Sequence, residues 1–140
     1  MSENLRPMQP QDYDALQHLW APEGMDYMTR AGFERLIWRN PTSCLVIERA
    51  GMLLAGACGA YDGRRAIVQS VAVHPAERGH GYGQRIVRAV VDALWQLDPE
   101  AKIRLFVLKE KPELLAFYTR LGFEVRDDLI YMALTHPNRV

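Results

Sequence analysis

Apolar residues recur at helical spacing in two segments near the start of the chain. Residues 11–20 and residues 29–39 each place their large apolar side chains on one helical face, and Asn40-Pro41 ends the second segment. Residues 5–8 precede them with a weaker apolar pattern that fits a short strand. The pattern therefore predicts one short strand followed by two helices.

Three strand-like segments come next, separated by short turns. They are residues 44–49, 52–61 and 66–73, with turns at residues 50–51 and 62–63. The second turn is Asp-Gly, which favours a hairpin between apolar segments because both residue types tolerate positive φ. These segments predict an antiparallel meander. The second strand contains small residues that let another element pack close to its backbone: Ala55, Gly56, Ala57, Gly59 and Ala60.

The second half of the chain alternates between helical and strand-like patterns. Residues 81–97 have helical spacing, and residues 102–108 alternate like a strand. Together with the strand at residues 66–73 they form a strand–helix–strand crossover, which should be right-handed and place the two strands parallel. Pro112 opens a further helix and Gly122 ends it. The last two predicted strands are residues 123–126 and 129–134. The sum is an α+β fold around a mixed sheet, in the order β-α-α-β-β-β-α-β-α-β-β.

Length and charge limit the classes of partner. The chain has 140 residues, which fit one domain spanning residues 1–140. Its 17 basic and 17 acidic residues balance, so it lacks the field that attracts nucleic acid or an anionic membrane, and we expect neither as a partner. No apolar run approaches the roughly 20 residues of a membrane span, and we expect a soluble, cytoplasmic protein.

The two cysteines do not indicate a metal site. Cys44 and Cys58 lie in apolar stretches, without a second pair or a histidine at ligand spacing, so no metal is expected. They either face each other across a hairpin or are simply two reduced thiols in the core. Reduced thiols suit a cytosolic protein.

A glycine-rich turn between a predicted strand and a predicted helix is the strongest candidate for a ligand site. Residues 78–83 read Arg-Gly-His-Gly-Tyr-Gly, and glycines there leave backbone N–H groups accessible at a helix N-terminus, where an anion is stabilised. The dinucleotide fingerprint Gly-x-Gly-x-x-Gly fails because Gln84 occupies its last position, and the Gly-Lys-Ser/Thr ending of a P-loop is missing. The loop therefore predicts a phosphate-bearing ligand, whereas a dinucleotide-binding Rossmann site and a P-loop both lose support.

Two segments resemble a known enzyme family. Val71-Ala72-Val73-His74-Pro75, followed by Arg78-x-x-Gly81-x-Gly83, resembles the acetyl-CoA signature of the GNAT acetyltransferases, Arg/Gln-x-x-Gly-x-Gly/Ala. Residues 117–123, Phe-Tyr-Thr-Arg-Leu-Gly-Phe, resemble the end of that family's last helix. Within the family the chain is most similar to small bacterial members of the RimI-like or YpeA-like kind. The resemblance implies a mostly antiparallel GNAT-like sheet flanked by helices.

The resemblance also implies a set of coenzyme-binding residues. N–H groups between Gly79 and Gln84 would hold the diphosphate of acetyl-CoA, and residues 71–73 would pair with its pantetheine arm. Arg78 would complement the phosphate charge, whereas Arg85 and Arg88 fit either a solvated face or a phosphate contact. The full candidate set is Val71, Ala72, Val73, Arg78, Gly79, His80, Gly81, Tyr82, Gly83 and Gln84.

By the same resemblance, Tyr118 is the candidate general acid. The family places this tyrosine beside the coenzyme sulfur, where its hydroxyl would protonate the departing thiolate. The alternative is a tyrosine that only packs in the core. A general base is not apparent, because residues 66–73 contain no carboxylate, and Gln69 and Ser70 could at most hold a water. Lys111 stands where the family often has an asparagine, which weakens the case for one pantetheine contact.

The resemblance implies an N-acetyltransferase that moves an acetyl group from acetyl-CoA directly to a primary amine. The acceptor would be a small molecule or a peptide or protein amine, selected in part by residues 21–30, which include Met25, Tyr27 and Met28. We expect a monomer or homodimer. The alternative is a regulatory module that binds acyl-CoA without catalysis, and transfer through Cys44 or Cys58 is disfavoured because neither has a flanking histidine.

Overall fold

The first elements form as the apolar pattern predicts. The computed structural model describes residues 2–23 and 28–138, so the predicted acceptor residues Met25 and Tyr27 lie outside the described residues. Strand β1 is Asn4–Pro7, helix α1 is Tyr13–Trp20 and helix α2 is Arg30–Arg39. Thr29 caps α2, since its hydroxyl accepts the Gly32 N–H at 3.0 Å.

The central meander has the predicted bounds. Strands β2 (Cys44–Arg49), β3 (Met52–Tyr61) and β4 (Ala66–Val73) pair antiparallel, and β1 adds to β2 antiparallel. The β2–β3 turn uses positive φ at Ala50 and Gly51, 53° and 80°. In the β3–β4 turn the Asp62 carboxylate accepts the N–H groups of Arg64 and Arg65, at 2.8 and 2.7 Å. Turn chemistry thus fixed the register of the sheet.

Helix α3 (Tyr82–Leu97) packs closely on the small residues of β3. Ile86, Val90 and Leu94 of α3 are fully buried. A β-carbon added at Gly59 would lie 2.6 Å from Cγ1 of Val90 and 2.9 Å from the carbonyl oxygen of Ser43. The expected close approach to β3 is therefore confirmed, and α3 is the element that makes it.

Strand β5 is parallel to β4, as predicted, but it is shorter than predicted. It covers Ile103–Arg104 rather than residues 102–108, and it pairs only with Ala66 and Ile67. Beyond those pairs β4 is bulged: Ser70 has φ 56°, and the register with β3 shifts between Gly56 and Cys58. A bulge bends and twists its strand, and the parallel ladder with β5 ends at Ile67, before this bulge. The five strands lie in the order β1-β2-β3-β4-β5, a mixed and mostly antiparallel sheet.

The chain divides into two compact units, Met1–Phe106 and Val107–Val140. The second contains helix α4, Pro112–Arg120, which begins at proline as predicted and is followed by Gly122 with φ 103°. The N–H of Phe123 bonds back to the carbonyl of Tyr118 at 3.1 Å, and that of Gly122 to Thr119 at 3.0 Å. These bonds satisfy helix carbonyls that would otherwise lack partners.

The prediction of a closing strand pair is wrong. Residues 123–138, as far as the chain is described, contain no strand, and the apolar side chains of 129–134 are exposed: 88% for Ile130, 86% for Met132 and 100% for Leu134. Alternation gives a segment strand propensity, but a strand exists only when a neighbouring edge completes its ladder. In the described residues the element order ends at α4.

The two cysteines lie opposite each other in the core. Cys44 on β2 is the register partner of Cys58 on β3, and both thiols are free and buried. The neighbouring pair carries the ladder bond, from the Gly59 N–H to the Ser43 carbonyl at 2.9 Å, so the cysteines occupy a non-hydrogen-bonded pair. Both alternatives from the sequence hold together: the residues face each other across a hairpin, and they are reduced core thiols.

Candidate functional site

The segment between β4 and α3 is held by local hydrogen bonds before it reaches the glycines. The N–H of His74 bonds to the carbonyl of Leu54 on β3 at 2.8 Å, and the His74 ring nitrogen Nδ1 accepts the N–H of Ala76 at 3.1 Å. A single turn of 3₁₀ helix, Pro75–Glu77, follows. The chain therefore leaves the end of β4 in a defined direction.

Two glycines in this segment adopt conformations that other residues avoid. Gly79 has φ 85° and Gly81 has φ 83°, and a β-carbon built at either position would meet nothing within 4 Å. The protein itself therefore leaves room at both positions. Glycine is required there for its backbone angle, and the space beside it is open for a ligand.

Gly81 is the N-cap of α3, and it offers no side chain to cap the helix. The first intrahelical bond runs from the N–H of Arg85 to the carbonyl of Gly81, at 3.1 Å. The N–H groups of Tyr82, Gly83 and Gln84 precede that bond and have no carbonyl four residues back in the helix. They lie at the positive end of a 16-residue helix, an arrangement that suits an anion.

The predicted coenzyme residues fall on one continuous stretch of the first unit. In β4, Ala72 is buried while Val71 and Val73 are half-buried, and the β5 ladder does not extend to them. In the loop, Arg78, Gly79, His80, Gly81 and Gln84 are exposed, Gly83 is half-buried and Tyr82 is buried. The ring of His80 stacks on that of Tyr82, with 6.5 Å between centroids. Most residues of the loop are therefore exposed, and at residues 71–73 the edge of β4 away from β3 is not paired with β5.

Charged side chains beneath the loop form a cluster that the sequence did not indicate. The Tyr82 hydroxyl donates to the carboxylate of Glu3, which also accepts from Arg85 at 2.8 Å. Arg49 pairs with Glu77, just before the loop. These residues are far apart in the chain, and no local pattern connects them. Of the two arginines whose role the sequence left open, Arg85 is therefore an ion-pair partner of Glu3, and Arg88 is exposed.

Tyr118, the candidate acid, lies in the second unit on α4. Its ring makes edge contacts with Phe117 and Phe123, with centroids 4.9 and 5.9 Å away. Burial raises the pKa of Tyr118 to about 12, so the hydroxyl keeps its proton at neutral pH. Tyr118 therefore packs against two aromatic rings, and its hydroxyl is protonated at neutral pH.

The positions that raised doubts in the sequence are also placed. Ser70 is at the β4 bulge, where its carbonyl accepts the indole N–H of Trp20 at 3.0 Å. Gln69 is half-buried on the same strand. Lys111 is the N-cap of α4 and makes no side-chain capping bond, because an ammonium group cannot accept an N–H.

No group of three or more His, Cys, Asp or Glu side chains is arranged to hold a metal ion within the described ranges. Nor does any helix there have the length and apolar character needed to cross a membrane. In residues 66–73 no carboxylate is present to act as a base.

The mixed, mostly antiparallel sheet and its flanking helices form the fold that the sequence predicted, that of an acetyltransferase. The profile of the Acetyltransferase (GNAT) family matches residues 13–123, and the chain belongs to this family. GNAT acetyltransferases use acetyl-CoA, and this chain is an acetyl-CoA-dependent member.

Individual relatives agree with this assignment. Acetyltransferase YE1169 of Yersinia enterocolitica is 24% identical over 131 residues, covering 90% of this chain and 91% of the relative. Ard1 from Thermoplasma volcanium has a similar structure, with a TM-score of 0.79 and 24% identity over 90% of this chain and 85% of that one. The ribosomal-protein-S18-alanine N-acetyltransferase from Escherichia coli gives a TM-score of 0.73 at 18% identity, covering 88% and 78%. At these identities the structural likeness shows a shared fold.

Proposed function

We propose that residues 1–140 act as a single N-acetyltransferase domain, which transfers the acetyl group of acetyl-CoA to a primary amine by direct attack in a ternary complex. The observation that carries this proposal is the pair of open, positive-φ glycines, 79 and 81, just before the first N–H groups of α3, which have no carbonyl four residues back in the helix. A β-carbon at either glycine would enter the space that a diphosphate needs. The proposal thus begins with coenzyme binding.

In this proposal the loop and β4 hold different parts of the coenzyme. N–H groups from Gly79 to Gln84 bind the diphosphate, and the exposed Arg78 adds positive charge at the start of the loop. The peptide groups of residues 71–73, which β5 does not ladder, pair with the amides of the pantetheine arm. One of those N–H groups also stabilises the negative charge that develops on the carbonyl oxygen.

The transfer needs a neutral amine and a good leaving group. The amine nitrogen attacks the thioester carbonyl carbon, the carbon–sulfur bond breaks, and the thiolate takes a proton. Tyr118 is proposed as the donor, since a hydroxyl with a pKa of about 12 is protonated at every physiological pH. Because β4 has no carboxylate, the ammonium proton of the acceptor leaves through water or through a group outside that strand.

For the acceptor we propose a peptide or protein amine, as in RimI-like enzymes, with a small-molecule amine as the alternative. The support is the fold shared with the ribosomal-protein-S18-alanine N-acetyltransferase. Of the residues expected to select the acceptor, Met28 is described, and its carbonyl accepts the Tyr13 hydroxyl at 2.6 Å. A monomer or homodimer would suffice for this chemistry.

The decisive experiment is a thiol-release screen with acetyl-CoA against peptide N-termini, lysine peptides, amino acids and polyamines. We expect turnover with at least one class, and Tyr118→Phe should lower kcat strongly while the Kd of acetyl-CoA stays within about twofold. If acetyl-CoA binds tightly but no acceptor turns over, the protein is a regulatory acyl-CoA-binding module. If Tyr118→Phe has wild-type kcat, the acid role is wrong.

A further inference from the structure

We infer that Glu3 and Arg49 are positioning residues for the coenzyme loop, which they hold from outside at its two ends. This inference rests on the proposed function, because it concerns how the loop becomes ready to bind the diphosphate. Neither side chain is expected to touch the coenzyme or the acetyl group.

The first attachment is at the entrance to the loop. The guanidinium of Arg49, at the end of β2, forms an ion pair with the carboxylate of Glu77. The Glu77 side chain is only 14% exposed, so water screens this pair less than an open surface pair. Glu77 is the last residue of the 3₁₀ turn, two positions before Gly79.

The second attachment is at the exit from the loop. The phenol of Tyr82, the first residue of α3, is 7% exposed and donates to the carboxylate of Glu3. The same carboxylate accepts from Arg85 at 2.8 Å, and the guanidinium of Arg85 lies over the Tyr82 ring at 5.4 Å. The hydrogen bond between Tyr82 and Glu3 lowers the pKa of Glu3 and raises that of Tyr82. At neutral pH Glu3 is therefore ionised and Tyr82 protonated, as this hydrogen bond requires.

Arg49 also connects the two attachments. Its Nη1 lies 3.5 Å from the Tyr82 hydroxyl while its Nη2 pairs with Glu77. Residues on both sides of the glycines are therefore fixed to one cluster, which includes the segment before β1 and the β2–β3 hairpin. The loop between the attachments is short, and its ends cannot move independently.

The glycines explain why such attachments matter. Gly79 and Gly81 have no β-carbon to restrict their backbone angles, so the loop's own sequence does little to select the bound conformation. Ordering flexible residues on binding costs affinity, and a loop fixed in advance avoids that cost. The ion pairs of Glu77 and Arg85 and the hydrogen bond of Tyr82 supply the restriction that the glycines lack.

The test uses variants that remove the charge on one side of each attachment and so weaken it. Arg49→Gln, Glu77→Gln and Glu3→Gln are compared with wild type and with the Arg49→Gln/Glu77→Gln double variant. The matched control is Glu48→Gln, which neighbours Arg49 on β2 but pairs with Arg6, at 2.9 Å. Calorimetry gives the Kd of acetyl-CoA, thermal melting gives stability, and hydrogen exchange without coenzyme reports the N–H groups of residues 79–84.

We expect Arg49→Gln, Glu77→Gln and Glu3→Gln each to raise the Kd about 5- to 20-fold and to speed exchange in the loop. The double variant should raise the Kd no further than Arg49→Gln alone, since Arg49→Gln already removes the ion pair with Glu77. Glu48→Gln should leave the Kd and loop exchange as in wild type. A structural role alone would lower the melting temperature with the Kd unchanged.

Three results would overturn the inference. The first is wild-type Kd in all three variants, and the second is unchanged loop exchange. The third is tighter binding by Glu77→Gln alongside weaker binding by Arg49→Gln, which would mean that net charge acts and not positioning. If wild type itself ignores acetyl-CoA, the proposed function fails, while hydrogen exchange still decides whether the attachments order the loop.

Discussion

Replacing Gly81 by alanine should separate the loop's effect on coenzyme binding from its effect on folding. Gly81 has φ 83°, and an added β-carbon meets no atom of the protein within 4 Å. The folded chain therefore accepts the methyl group sterically, and only the backbone conformation is strained, at about 1–2 kcal/mol. For a chain of this size the melting temperature should fall by roughly 3–8 °C.

The loss in affinity should be much larger than that strain suggests. The methyl group would occupy the space from which a diphosphate reaches the first N–H groups of α3. Losing two charge-assisted hydrogen bonds at about 1.5 kcal/mol each gives about 3 kcal/mol, or roughly 100-fold in Kd. Isothermal calorimetry with acetyl-CoA measures this change, and circular dichroism measures the melting temperature.

Gly63 provides the matched control. It has φ 102°, its added β-carbon also meets nothing within 4 Å, and it lies in the β3–β4 turn. Gly63→Ala should lower the melting temperature by a similar amount and leave the Kd unchanged. Wild-type affinity in Gly81→Ala would refute the proposed diphosphate site, and equal loss of affinity in Gly63→Ala would assign the effect to strain elsewhere.

Three further predictions concern pH and packing. Burial raises the pKa of Tyr118 to about 12, from an ordinary value of about 10. The contribution of Tyr118 to the free energy of unfolding should therefore be complete below about pH 10 and be lost between about pH 10 and 12. The phenolate absorbance that Tyr118→Phe removes should have its midpoint near about pH 12, and a midpoint near about pH 10 would contradict burial. Gly59→Ala should lower the free energy of unfolding, measured in urea, by about 1–3 kcal/mol. Gly56→Ala should lower it less, because its β-carbon would meet the movable end of Leu16 at 2.9 Å. Equal losses would refute this packing argument. Lys111→Asn should add a cap to α4 and stabilise by about 0.5–1 kcal/mol, so an unchanged urea midpoint would count against the missing cap.

Local signals account for most of the agreement between sequence and structure. The bounds of β2, β3 and β4 followed from the turns that separate them, and α3 from its helical spacing, because each signal lies within the element or at its ends. The candidate loop was apparent for the same reason, since all its glycines fall within a few residues. Short-range chemistry was sufficient for these features.

The errors and omissions involve contacts between distant residues. The ladder between β4 and β5 has only two pairs, and nothing within residues 102–108 could indicate that. The strands predicted in residues 123–134 depend on a neighbouring edge, which alternation does not specify. The cluster of Glu3, Arg49 and Tyr82 joins residues from opposite parts of the chain, so only the folded protein shows it.

The pair of thiols at Cys44 and Cys58 gives the protein an internal reporter of unfolding. These are its only cysteines, and both are buried on β2 and β3 in the core cluster that includes Met8 and Leu16. A thiol-specific reagent can reach them only when that cluster opens, so the labelling rate of the native protein follows opening of this part of the core. Variants of the loop can therefore be ranked for stability by a colorimetric assay, without adding a probe to the chain.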